Sequence, residues 1–203
     1  MARKFNSIHV IDSTIDDVAV RLSNCQLDKN WLPEESDKKF LKIRHNDIAK
    51  IMKLVKEAKP QVATFYLTKN NSNISVASDY LNFSTLKEQL KWWFAGYNKY
   101  VFSISCLDED VLQITLFKKY KYITSFIAGK NLEDYNLKST KFDSEEICKI
   151  FNVTPEQVEE AYSENLYKTC MNFSKLFNLP LDIDVLQLIS TKKIDVEVVS
   201  FYL

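Results

Sequence analysis

The sequence predicts an α+β protein in which a mostly antiparallel sheet is packed by helices. Strand-like runs at 100–107, 111–118 and 121–127 are joined by short turns, which predicts a three-stranded meander with further strands flanking it. The last third of the 203-residue chain instead shows helical periodicity. Because antiparallel strands and helices are grouped rather than alternating, the α+β class follows. We expect one domain over 1–203, with any subdivision between sheet-rich and helical parts falling near 130–143.

The half of the chain before the meander predicts both helices and strands. Ser13 with Asp16, and Thr14 with Asp17, have the spacing of a capping box and mark the first helix start. Residues 26–46 are polar and irregular, and the polar run 69–73 predicts a turn. In chain order the predicted elements are a strand at 5–11, helices at 15–23 and 47–58, strands at 61–68 and 74–80, and a helix from 85 to the stop at Gly96.

The meander and the helical third carry the clearest local signals. Alternation places Phe102, Ile104 and Cys106 on one side of their strand, and Leu112, Ile114 and Leu116 on one side of the next. Asp143 is a predicted N-cap, and Thr154-Pro155-Glu156-Gln157 predicts a capped helix start with proline at the first position. Apolar residues from Val158 to Phe177 step by three or four, which predicts a helix of about 22 residues. A short helix or turn at 182–190 and a strand at 194–202 follow.

Composition excludes several nucleotide-dependent functions. The chain has two glycines, Gly96 and Gly129, so a P-loop, a dinucleotide-binding fingerprint and a Gly-x-Ser-x-Gly nucleophile elbow cannot be formed. The net charge of zero gives no global attraction to nucleic acid or to an anionic membrane. Abundant Lys, Asn, Ile, Phe and Tyr, with scarce Gly, Ala, Arg and Pro, indicate an AT-rich genome, and we expect a bacterial source.

The cysteines predict a reducing environment. Cys25, Cys106, Cys148 and Cys170 never approach C-x-x-C spacing, and we interpret them as small buried hydrophobes. The start of the sequence has no signal-peptide pattern, and no apolar run approaches the ~18 residues that a membrane helix needs. We therefore expect a cytoplasmic protein that does not bind membranes.

The sequence assigns no catalytic, cofactor-binding or metal-ligating residue, and no cofactor. His9 and His45 fit no zinc-binding spacing, and Asp108-Glu109-Asp110 is typical of a solvated turn. A small enzyme that joins a histidine to a cysteine or carboxylate in space remains the alternative. A second alternative is a helix-turn-helix regulator over 145–161, which the acidic residues of its recognition helix disfavour.

A protein partner is the interpretation that these observations favour. Trp92 and Tyr97 belong to the densest aromatic cluster, and aromatic residues are common binding anchors. The acidic turn Asp108, Glu109 and Asp110 is a candidate polar contact. We predict these five residues as partner-binding, with no nucleic-acid ligand. The oligomeric state is left open.

Part of the chain resembles a group of bacterial proteins. The Asp108-Glu-Asp-Val-Leu112 hairpin with Leu116-Phe117, the opening Ser7–Val18 and the stretch Phe151-Asn-Val-Thr-Pro-Glu-Gln-Val158 are similar to uncharacterised bacterial proteins. Some of those proteins look like cytoplasmic immunity proteins that neutralise a toxin. The resemblance covers about half the chain and implies a protein-binding, non-enzymatic role without transferring any catalytic residue.

Overall fold

A seven-stranded antiparallel sheet runs through the molecule in the order β6-β5-β4-β1-β3-β2-β7. The computed structural model describes residues 5–23, 62–78, 81, 83, 86–107, 110–119, 121–182 and 196–202. The strands are β1 (Phe5–Val10), β2 (Val62–Asn70), β3 (Asn73–Ala77), β4 (Tyr100–Leu107), β5 (Val111–Lys118), β6 (Lys121–Gly129) and β7 (Val196–Tyr202). The α+β prediction is confirmed. The predicted helix at 47–58 and the irregular segment 26–46 lie outside the described residues. So does the predicted short helix or turn at 182–190, apart from Asp182.

The meander forms where the sequence predicts it. β4, β5 and β6 pair in sequence, with Ser103 opposite Thr115 and Thr115 opposite Ser125. The β2–β3 turn is shorter than predicted, because β2 extends to Asn70 and Asn71 takes a left-handed φ of 56°.

Helices cover both faces of the sheet in the described part of the chain. Five α-helices are described there: α1 (Ile15–Ser23), α2 (Leu86–Trp93), α3 (Ser144–Phe151), α4 (Pro155–Ala161) and α5 (Leu166–Phe177), with a 3₁₀ helix at Leu132–Tyr135. Because side chains alternate along a strand, each face has its own core. Phe102, Ile104 and Leu112 pack with α3–α5 in one core. Ile8, Val10 and Phe65 pack with α1 and α2 in the other.

The predicted helix starts in the last third are confirmed. The Asp143 side chain accepts hydrogen bonds from the backbone N–H groups of Glu145 and Glu146. Thr154 and Gln157 form a complete capping box, with Pro155 as the first helical residue. These caps satisfy N–H groups that a helix start leaves unpaired.

The prediction of one 22-residue helix after Thr154 is wrong, because the helix breaks at 162–165. Tyr162 is extended, and Asn165 caps a new helix by accepting from the Lys168 N–H at 2.8 Å. The Thr169 hydroxyl also donates to the Ser163 carbonyl. Polar side chains therefore form hydrogen bonds with the backbone groups that the break leaves unpaired. Val158 and Phe173, on the two helices, are still buried in one core.

Asparagine takes the left-handed positions that glycine usually fills. Asn152 and Asn178 end α3 and α5 with φ of 54° and 51°, and Asn136 ends the 3₁₀ helix with φ of 54°. Asparagine tolerates this conformation better than other residues with a Cβ, although less well than glycine. A glycine-poor chain can therefore still end its helices with the usual geometry.

Replacement of Asn152 by glycine is expected to raise the free energy of unfolding by about 0.5–1 kcal/mol, since glycine adopts positive φ without steric cost. Asn152→Ala should lower it by about 1 kcal/mol. Urea unfolding of the two variants measures both changes, and an Asn152→Gly variant less stable than the parent would contradict the interpretation.

Candidate functional site

Two of the predicted partner-binding residues lie on or near α2. Tyr97 is buried, with 8% of its surface exposed, and its hydroxyl is 2.6 Å from the Ser13 hydroxyl oxygen. The Arg21 guanidinium lies over its ring, 5.1 Å from the centroid. Trp92 belongs to α2, but its side chain lies outside the described part. Tyr97 therefore offers little surface to a partner.

The acidic turn lies at the other end of the meander. Asp108 and Glu109 are outside the described residues, whereas Asp110 immediately precedes β5. The Tyr97 carbonyl accepts from the N–H of Lys119, immediately after β5, at 3.1 Å. Because Asp110 and Lys119 flank the extended strand β5 and are about 30 Å apart along it, the structure does not bring Asp110 and Tyr97 together. Their role in partner binding stays a prediction.

The side chain of His9 is buried in the sheet between two serines. All three side chains are fully buried, with His9 Nε2 2.9 Å from Ser7 Oγ and Nδ1 2.8 Å from Ser75 Oγ. Ser7 donates its proton to the Leu181 carbonyl at 3.3 Å, so it must accept from His9 Nε2–H, and Nδ1 then accepts from Ser75. Burial lowers the pKa of His9 to about 3, which keeps it neutral. His45 lies outside the described residues.

The described cysteines are largely embedded in the core. Cys106 and Cys170 are buried and Cys148 is half-buried. Burial raises the pKa of Cys170, so its thiol stays protonated at neutral pH. Cys25 lies outside the described residues. Within the described ranges, no group of three histidine, cysteine or carboxylate side chains is arranged to hold a metal ion.

The second helix of the segment 145–161 has an acidic outer surface. Glu156, Gln157, Glu159 and Glu160 are exposed on α4, while Val158 faces the core. Carboxylates at these positions would repel the phosphates of a DNA groove. No helix in the described part of the chain is long and apolar enough to cross a bilayer.

A shallow groove of about 250 Å³ lies over β5 and β6, on the face opposite α3–α5. We call it the lysine groove. Its floor is formed by Gln113, Thr115, Ser125 and Ile127. The segment 136–140 forms one wall and is fixed by two 2.9 Å backbone hydrogen bonds between Thr140 and Ile127. The groove is therefore built from two paired strands and a loop that is hydrogen-bonded to β6.

A directed chain of hydroxyls orders one side of the groove. Thr140 Oγ1 donates to the Ser125 carbonyl at 3.1 Å, so it accepts from Ser125 Oγ at 3.2 Å. Ser125 Oγ must then accept from the Tyr122 hydroxyl at 3.0 Å. This series of hydrogen bonds ends at the backbone carbonyl of Ser125 and not at a general base. These hydroxyls position Tyr122 instead of forming an activated nucleophile.

Two lysines stand at the edges of the groove. Lys87, in the first turn of α2, has its Nζ 5.6 Å from the ring centroid of Tyr122, and Lys138 belongs to the segment 136–140 that forms one wall. Both lysines are exposed, and neither forms an ion pair with a carboxylate of the described residues. Tyr122 is 50% exposed. The groove thus presents two ammonium groups and an aromatic ring to a ligand.

The sequence predictions did not include this groove, although a signal for it is present. Ser103, Ser105, Gln113 and Thr115 occupy the strand positions between the apolar residues assigned to the core. When one face of a strand pair is apolar and the other carries a row of small polar residues, the polar face is not packed against the same hydrophobic core. Lys87 and Lys138 could not be assigned to it, since the topology alone brings them to β5 and β6.

Comparisons of the chain with protein-family models, with curated proteins and with solved structures found no match.

Proposed function

We propose that the chain is a non-enzymatic protein-interaction module that binds its partner through the lysine groove. The observation that carries this proposal is the half-exposed Tyr122 ring, which lies beside the Lys87 ammonium group in a groove that Lys138 also lines. Aromatic residues flanked by polar groups supply much of the binding energy at protein interfaces. The shallow shape of the groove suits a side chain or short segment of another protein better than a fully enclosed small molecule.

The surroundings of the reactive groups support binding rather than catalysis. His9 is sealed from solvent and neutral, with both ring nitrogens hydrogen-bonded to serines. The hydroxyls of the groove are ordered toward a backbone carbonyl. A general base must reach its substrate, and His9 cannot do so without opening the sheet.

The same proposal places the protein among bacterial immunity proteins, so that its partner would be a toxin. The resemblance of the hairpin at 108–117 and of the stretch 151–158 supports this part of the proposal. A cytoplasmic location belongs to it as well, and the free thiols of Cys148 and Cys170 fit a reducing compartment.

Isolation of the partner tests this function. The tagged protein is purified from its source cells, and each co-purifying protein is then recombined with it from pure components. We expect one protein to form a complex that survives gel filtration, and to be toxic when expressed alone but not when co-expressed. The proposal fails if no recombined pair forms a complex.

Tyr122→Ser should weaken that complex at least tenfold by isothermal titration calorimetry, because an interface loses an aromatic anchor. Val20→Ser is the matched control, since Val20 is 58% exposed on α1 and lies outside the groove. Its affinity should stay within twofold of the parent. Equal losses in both variants would exclude the groove as the contact surface.

A further inference from the structure

We infer that the lysine groove binds a carboxylate group carried by an acidic segment of the partner protein. This inference rests on the proposed function and specifies the chemistry of the same site. Lys87 and Lys138 both line the groove, and its described lining contains no carboxylate, so a negatively charged group bound there would be attracted by both.

The floor of the groove is polar but closed. Thr115 is 1% exposed and accepts from Gln113 Nε2 at 3.3 Å, so a ligand would be held by the lysines rather than by the floor. Hydrogen bonds to a charged acceptor are stronger than those between neutral groups. Two ammonium groups therefore suit a carboxylate, while the ring of Tyr122 can pack against its aliphatic stem.

The neighbouring charges extend the attraction beyond the groove. Lys119 and Lys121 are exposed at the β5–β6 turn, directly before Tyr122 in the chain. The exposed acidic residues of α4 lie in the helical layer on the other face of the sheet. Lys119 and Lys121 therefore add positive charge beside the groove, and the carboxylates of α4 lie away from it.

A carboxylate ligand is favoured over the phosphates of a nucleic acid. Proteins that bind single-stranded nucleic acid stack successive bases on several aromatic rings, whereas the rim of the groove has the one exposed ring of Tyr122.

The test is a titration of the ¹⁵N-labelled protein with hexaglutamate, and with hexaglutamine as the uncharged peptide of matched length. We expect hexaglutamate to shift the amide signals of Thr115, Ser125 and Thr140, and to bind at least tenfold more tightly than hexaglutamine. The double variant Lys87→Glu/Lys138→Glu should bind hexaglutamate at least tenfold more weakly. Both lysines are exposed, so this variant should fold, as its dispersed spectrum would show.

The control variant is Lys168→Glu/Lys175→Glu, which changes the net charge equally but lies on α5, on the other face of the sheet. Its affinity should stay within twofold of the parent. Equal weakening of both double variants would overturn the inference, because it would show a response to net charge alone. Tighter binding of oligothymidylate than of hexaglutamate would overturn it as well.

Failure of this inference is distinguishable from failure of the proposed function. If an isolated partner still binds Lys87→Glu/Lys138→Glu with unchanged affinity, the module binds a protein but not through a carboxylate in the groove. If hexaglutamate binds the groove as expected but no partner forms a complex, the carboxylate site stands and the proposed function falls.

Discussion

Replacement of Gly129 by alanine is expected to lower the free energy of unfolding by about 3–5 kcal/mol. Gly129 ends β6 with a φ of 153°, and a Cβ built there would lie 1.9 Å from the carbonyl oxygen of Asp110. That oxygen cannot easily move away, because it accepts a 2.8 Å hydrogen bond from the Lys130 N–H. The neighbouring Val111 pairs directly with Gly129 across β5 and β6.

The other glycine of the chain provides the control. Gly96 has a φ of 69°, and a Cβ added there would meet no atom within 4 Å. Gly96→Ala should therefore cost about 1–2 kcal/mol, which is the conformational penalty alone. Urea unfolding of both variants measures the difference, and equal losses would show that the contact with Asp110 is not the constraint.

The stability of the protein should fall as the pH is lowered below 6.5, in part because of His9. The unfolded chain takes up a proton at His9 with a pKa of 6.5, whereas burial lowers the folded pKa to about 3. Between these values protonation favours the unfolded state by about 1.4 kcal/mol per pH unit. The loss from this group is absent above pH 6.5 and reaches about 2–3 kcal/mol at pH 4.5.

His9→Gln isolates this effect from the titration of other groups. Glutamine can hydrogen-bond to a serine but does not titrate, and the variant should be about 1–3 kcal/mol less stable than the parent at pH 7.5. The gap should close or reverse at pH 4.5, because only the parent loses the contribution of His9. A gap that is the same at both pH values in denaturant titrations would contradict a neutral, sealed His9.

Local signals in the sequence predicted most of the described fold. The meander, the Asp143 cap and the Thr154 capping box depend on residues within a few positions of one another, so their patterns are visible in the chain. The break at 162–165 was missed because the apolar spacing continues across it. Its cause is the hydrogen bonding of Ser163 and Thr169, which spacing does not reveal.

The groove depends on distant parts of the chain, which explains why the sequence did not predict it. Lys87 comes from α2, Tyr122 from β6 and Lys138 from the loop after the 3₁₀ helix, and the pairing of β5 with β6 gives them a common floor. The aromatic residues of the last third had a simpler role. Phe142, Phe173 and Phe177 fill the core beneath α3–α5 and are not binding anchors.

Acetylation of lysines in the isolated complex tests most directly the claim that the partner binds through the lysine groove. Free and partner-bound protein are labelled briefly with an amine-reactive acetylating reagent, and each site is quantified by mass spectrometry. Binding through the lysine groove predicts that Lys87 and Lys138 become at least fivefold less reactive, while Lys168 and Lys175 on α5 do not change. Protection of the α5 lysines with full reactivity at Lys87 and Lys138 would contradict the account.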